Sequence, residues 1–137
     1  KPTGGGTRKR FIGMLSYRSK ALTLAAELAG ARDSVIPAVT TPPTAATPLK
    51  PGRLISVFGV LRVPKTKLQI IGRVDSTDPN TDVANDRQTR YIFGGAYAVS
   101  SNLRVLLDLD HLSYQGTATP AQEAVRSSAL FQIQFVF

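Results

Sequence analysis

From residue 11 to the end of the chain, apolar and polar side chains trade places at nearly every step. That is the period of a β-strand with two unlike faces. In "FIGMLSYR", Phe11, Gly13, Leu15 and Tyr17 fall on one side, with Ile12, Met14, Ser16 and Arg18 on the other. In "KLQIIGRVD", Leu68, Ile70, Gly72 and Val74 oppose Lys67, Gln69, Ile71, Arg73 and Asp75. "LRVLLDLD" is the clearest case, with Leu103, Val105, Leu107 and Leu109 against Arg104, Leu106, Asp108 and Asp110. The closing stretch "FQIQFVF" sets Phe131, Ile133, Phe135 and Phe137 against Gln132 and Gln134. The pattern predicts seven strands, at about 11–18, 21–30, 53–63, 67–75, 88–99, 103–112 and 126–137.

Two segments depart from this simple pattern. "KALTLAAELAGA" is rich in good helix formers, but Leu22, Leu24 and Leu28 share a parity and Glu27 sits opposite, so a strand is expected. "RLISVFGVLRV" is apolar on both faces. Its parity follows from an internal echo, since "FGVLRVPKTKL" aligns with "GGAYAVSSNL" and so matches Gly59 to Gly95. Arg62 then shares the polar face with Arg90 and Arg104. Tight turns at Ser19-Lys20, Pro64-Lys65-Thr66 and Ser100-Ser101-Asn102 alternate with long polar connections at about 31–52, 76–86 and 113–125. Strict alternation puts every tight turn at one end of the sheet. The predicted fold is all-β, an antiparallel up-and-down meander.

Patterning does not say which face meets water. A soluble sheet buries its apolar face, whereas a membrane barrel turns it outward as a band ~25 Å tall with aromatic girdles and a polar lumen. The runs at 88–99, 102–113 and 126–137 approach the ~9 to 11 residues a tilted strand needs to cross a bilayer. Phe11, Tyr17, Tyr91, Phe93, Tyr97, Phe131, Phe135 and Phe137, eight of ten aromatics, lie on the apolar parity. The polar parity carries Arg18, Glu27, Lys67, Arg73, Asp75, Arg90, Arg104, Asp108 and Asp110, too many charges for a core. Membrane strands forming part of a transmembrane β-barrel are therefore expected. Arg18, Arg62, Lys67, Arg73, Arg90, Arg104, Asp108 and Asp110 are the lumen-facing candidates, joined among basic residues by Arg126. Their excess of positive charge predicts a weak preference for anions. Seven is an odd number and an open edge cannot sit in lipid. The chain is therefore expected to be the C-terminal part of a larger barrel, with residues 1–10 a loop remnant.

Composition narrows the alternatives. The net charge is +8, there is no cysteine, and His111 is the one histidine, which excludes disulfides and thiolate or multi-histidine metal sites. "KPTGGGTRKR" has no apolar stretch behind its charges, so it is not a signal peptide, and "TGGGT" lacks the Lys of a phosphate loop. A basic domain that binds nucleic acid interleaves aromatics with Arg and Lys on one face; here they occupy opposite faces. A barrel hydrolase needs a Ser or Thr nucleophile near a His base, and no such triad is visible. Neither enzyme activity nor a cofactor is expected.

The ending resembles the C-terminal recognition signal of bacterial outer-membrane barrels, with Phe131, Ile133, Phe135 and Phe137 as its apolar row. That resemblance implies the outer membrane, its lipid, and the barrel-assembly machinery as partners. "GRVDSTDPN" followed by "TRYIFGGAYAVSSNLRVLLDLD" is similar to the closing strands of the phosphate-selective porin family. The matching positions are Arg73, Asp75, Asp78, Pro79, Asn80, Gly94 and Gly95. The likeness covers roughly the last 85 residues. It implies a homotrimeric pore for passive flux of small anionic or polar solutes. The family's lumen lysine ladder has no counterpart in this segment.

Overall fold

The computed structural model describes residues 8–33 and 50–135 and folds them into one seven-stranded antiparallel sheet. Its strands are β1 (Arg8–Arg18), β2 (Leu22–Asp33), β3 (Lys50–Arg62), β4 (Leu68–Asp78), β5 (Gln88–Ala98), β6 (Leu103–Tyr114) and β7 (Ser127–Phe135). Each pairs with its neighbours in sequence, so the sheet is a meander with β1 and β7 at its edges. All seven expected strands are present. Residues 1–7, most of the Pro- and Thr-rich connection, and Phe137 lie outside the described residues.

The helix-forming segment is strand β2. Its ladder runs unbroken against β1 on one side and β3 on the other. Two flanking ladders hydrogen-bond every backbone group, and that outweighs an intrinsic helix preference of a few tenths of a kcal/mol per residue (about). Several strands run past their last apolar residue at the long-connection end. β1 begins at Arg8, inside the expected loop remnant, because Arg8, Lys9 and Arg10 pair with Asp33, Arg32 and Ala31. β4 likewise continues to Asp78, so Arg73 and Asp75 sit within the strand rather than at its end.

The tight turns close with short backbone bonds. Ser19 N donates to Leu22 O at 2.7 Å, and Val99 N donates to Leu103 O at 2.9 Å. In the 63–67 turn Pro64 restricts φ and Lys65 takes φ 62°, which reverses the chain. The last long connection contains a helix the alternation did not show, α1 (Pro120–Ala124). Thr119 Oγ1 accepts from Gln122 N at 3.3 Å, Gln122 Oε1 accepts from Thr119 N at 2.7 Å, and Pro120 opens the first turn. This reciprocal cap is legible in "TPAQ".

Among the described residues no hydrophobic core lies between layers. Among the described residues the only buried hydrophobic is Ala96, at 2% exposure. Large apolar side chains stand open instead, up to Leu15 at 78%. On the central strands the apolar face is the more exposed and the polar face the less, as the alternating pattern of β6 shows. Side chains crowd on a concave surface and splay on a convex one, so the sheet curves toward its polar face.

Candidate functional site

Directly paired residues of an antiparallel ladder share a face, so the register traces each face across the sheet. On the apolar face every strand presents four consecutive apolar or glycine positions. They are Phe11 to Tyr17 in β1, Leu28 to Leu22 in β2, Ile55 to Leu61 in β3 and Val74 to Leu68 in β4. Tyr91 to Tyr97 in β5, Leu109 to Leu103 in β6 and Ala129 to Phe135 in β7 complete the set. Toward the long connections the next position is polar on every strand but β2, at Lys9, Arg53, Ser76, Thr89, His111 and Ser127; on β2 Gly30 adds one position before Arg32. Phe11 and Tyr91 stand at that edge, while Tyr17, Tyr97 and Phe135 stand at the opposite one.

These windows step along the strands. Tyr17, at the near-turn end of the β1 window, is level with Leu24, Gly59, Gly72, Phe93, Leu109 and finally Ala129. Leu109 and Ala129 are the long-connection ends of theirs. The band therefore slips by six residues over the six steps from β1 to β7, one residue per strand. At ~3.4 Å per residue and ~4.8 Å between strands, a straight band with this slip crosses strands tilted by ~35°.

Heights on the polar face can be counted from the same edge. Glu27, Arg73 and Asp108 lie one residue inside it, and Asp75, Arg90 and Asp110 one residue outside, forming an upper charged belt. Asp75 is directly opposite Arg90. Arg73 Nε donates to both carboxylate oxygens of Asp75 at 2.8 and 2.9 Å, and Arg90 Nε to both of Asp110 at 3.0 and 2.9 Å. The carboxylates are tucked against the wall, 11% and 21% exposed, with the guanidinium groups 44% and 49% exposed. The four charges neutralise one another.

A second belt lies at the tight-turn end. Arg18 is seven residues from Phe11, Arg62 seven from Ile55, Lys67 seven from Val74, and Arg104 five from Leu109. No carboxylate pairs with these four among the described residues: Arg62 donates to Thr23 Oγ1 at 3.0 Å and Lys67 to Val99 O at 3.1 Å. Arg126 lies between α1 and β7 and bonds Glu123 at 2.6 Å, so it joins neither belt. Between the belts, three residues inside the edge, run Met14, Ala25, Phe58, Ile71, Gly94, Leu106 and Gln132. From β1 to β6 the polar face is therefore apolar at mid-height, with Gln132 on β7 the exception, a zone that parity did not separate from the charged rows.

Asp108 has no ion-pair partner among the described residues, and it lies over Gly94 on the neighbouring strand. A Cβ built at Gly94 stands 2.0 Å from Asp108 Oδ1 and 2.7 Å from Leu107 O. Only glycine leaves room for that carboxylate. His111 is placed on the apolar face opposite Tyr91, and the register brings a hydroxyl to it that the sequence did not show. Its Nδ1 lies 2.8 Å from Ser127 Oγ. No group orients the other ring nitrogen among the described residues, so the pair lacks the third member that fixes a catalytic base. Of the expected terminal row, Phe131, Ile133 and Phe135 are exposed in one line on the edge strand β7. No family model matches this chain, and no curated protein or solved structure is detectably similar to it.

Proposed function

We propose that the seven strands form wall in an outer-membrane β-barrel of the porin type, with the apolar face against lipid and the charged face against enclosed water. The barrel passes small hydrophilic solutes passively, with a weak lean toward anions. The observation that carries this reading is the stepped band. A slab of hydrocarbon has flat, parallel boundaries, so it selects an apolar window of constant height on every strand it cuts. Four positions cover ~27 Å of strand, or ~22 Å along the normal at the ~35° tilt, close to the ~25 Å band of membrane barrels. The tilt itself lies at the lower end of the ~35–45° range of such barrels. In lipid the free edges of β1 and β7 require partners, from further strands or a second copy.

In this reading the tight turns face the periplasm and the long connections face outward. The basic belt of Arg18, Arg62, Lys67 and Arg104 then rings the periplasmic mouth and lowers the barrier for anions there. In the upper belt the pairs Arg73–Asp75 and Arg90–Asp110 cancel and contribute architecture, while Glu27 and Asp108 leave it two negative charges. The apolar mid-belt favours a second reading, a closed barrel that does not conduct.

Refolding into planar phospholipid bilayers, with conductance and reversal potential recorded in a salt gradient, separates these cases. The expected result is stepwise conductance reversing toward the anion potential. Joint replacement of Arg18, Arg62, Lys67 and Arg104 by Gln is expected to abolish that preference. Insertion without conductance selects the closed barrel, cation preference removes the anion lean, and a soluble monomer that ignores bilayers overturns the barrel.

A further inference from the structure

Within the described strands, the apolar face carries three basic side chains, and all lie in β1 to β3 just beyond the long-connection edge of the apolar band. They are Lys9, Arg32 and Arg53, each exposed. Lys9 and Arg32 are directly opposite each other. Arg53 is opposite Gly30, one register step away on the same face. Like charges placed opposite on a ladder repel. None of the three forms an ion pair among the described residues. The one acid on this face of the strands, Asp78, is opposite Arg53 but is held by Arg87 at 3.5 Å. On β4 to β7 the positions two beyond the edge, Ser76, Thr89, His111 and Ser127, carry no comparable charge, and at the height of Arg32 stand Asp78 and Arg87, paired with each other.

The cluster surrounds an open seat. A shallow groove is lined by these three residues with Phe11, Leu28 and Gly30. A Cβ at Gly30 meets nothing within 4 Å. Apolar side chains thus lie below the cations and vacant space lies among them.

We infer that this corner binds the phosphate of an anionic lipid in the leaflet on the long-connection side. The inference rests on the membrane reading above. Lys9 and Arg53 stand two residues beyond the last apolar position, ~3 Å past the boundary of the ~22 Å band along the normal, and Arg32 four residues, ~8 Å past it. A headgroup layer is about 5–7 Å deep on each side of the hydrocarbon, and Arg and Lys reach several ångströms along their stems. All three groups meet at phosphate depth, with Phe11 and Leu28 against the first acyl carbons. A phosphate inserted between them removes the like-charge repulsion that the bare cluster leaves standing.

The test reconstitutes the protein in phosphatidylcholine vesicles containing a minority of phosphatidic acid, extracts it in mild detergent, and quantifies the lipids that remain bound. Phosphatidic acid is expected to be enriched over phosphatidylcholine. Roughly fivefold per basic residue at an anionic surface predicts loss of about 100-fold in the joint variant Lys9→Gln, Arg32→Gln, Arg53→Gln. Gly30→Leu fills the seat without changing charge and is expected to reduce retention as well. The quadruple Gln variant of the basic belt on the other face is expected to keep it. Unchanged enrichment in the triple variant overturns the site. Displacement of the lipid by an equal concentration of inorganic phosphate reassigns it to a free anion, and retention of a single-stranded oligonucleotide instead of lipid reassigns it to nucleic acid; either overturns the proposal. Protease protection in pure phosphatidylcholine vesicles is read in parallel. Failure to insert sinks the membrane reading itself, whereas insertion without enrichment sinks the lipid site alone.

Discussion

Leu107→Arg tests the central physical claim most directly. Leu107 is the second position in the four-residue window of β6 and is 54% exposed on the apolar face. With a ~22 Å band, its Cα lies ~3 Å from the band's midplane, whereas His111, on the same strand and face, lies ~14 Å away. If hydrocarbon covers this face, arginine at Leu107 costs about 2–4 kcal/mol and arginine at His111 about 0–1 kcal/mol. If water covers it, both substitutions fall within about 0.5 kcal/mol of neutral, as surface changes do. The assay is reversible guanidinium unfolding from phospholipid vesicles. It is followed by far-ultraviolet circular dichroism, because the chain has no tryptophan. The expected result is a midpoint loss at Leu107 several times that at His111, with Leu109 between them. A flat profile, with Leu107→Arg costing no more than His111→Arg, refutes the outward-facing apolar band.

Gly94→Ala is expected to destabilise by about 1–3 kcal/mol, because its Cβ enters space held by Asp108 and the Leu107 carbonyl. Asp108→Ala is expected to recover part of that loss and not all, since the backbone oxygen stays; denaturant midpoints of the two single variants and the double variant check this. Asp110→Asn removes the partner of a half-exposed Arg90, so its stability cost is expected below about 1 kcal/mol. The freed guanidinium is expected to shift the reversal potential further toward the anion side, and a shift the other way counts against an aqueous polar face.

Much of the fold was legible because a strand with unlike faces writes a two-residue period directly into the chain. Even the helix-rich "KALTLAAELAGA" kept its parity, and the echo of Gly59 with Gly95 placed Arg62 on the face where the register puts it, opposite Gln69. The capped turn at Thr119 was missed because five residues of helix inside a polar connection leave no periodic trace, although the cap itself is spelled out. The charged rows were read as one lumen lining. Sequence parity assigns a residue to a face but not to a height, so the upper charged belt, the basic belt and the apolar zone between them were indistinguishable. Asp108 was assigned to the charged face and no more; it lies over Gly94, a neighbour 14 positions away in sequence that only the β5–β6 register supplies.

Alternation along a single strand is a local property, fixed by the pleat, and the amino-acid sequence alone determined it: seven strands, two faces, short and long connections at opposite ends. The slip of one residue per strand, the meeting of Lys9, Arg32 and Arg53 around Gly30, and the approach of Ser127 to His111 are properties of register. Register depends on how strands from different parts of the chain align. Hydrogen-bond ladders between them decide that, and no period within one segment contains it.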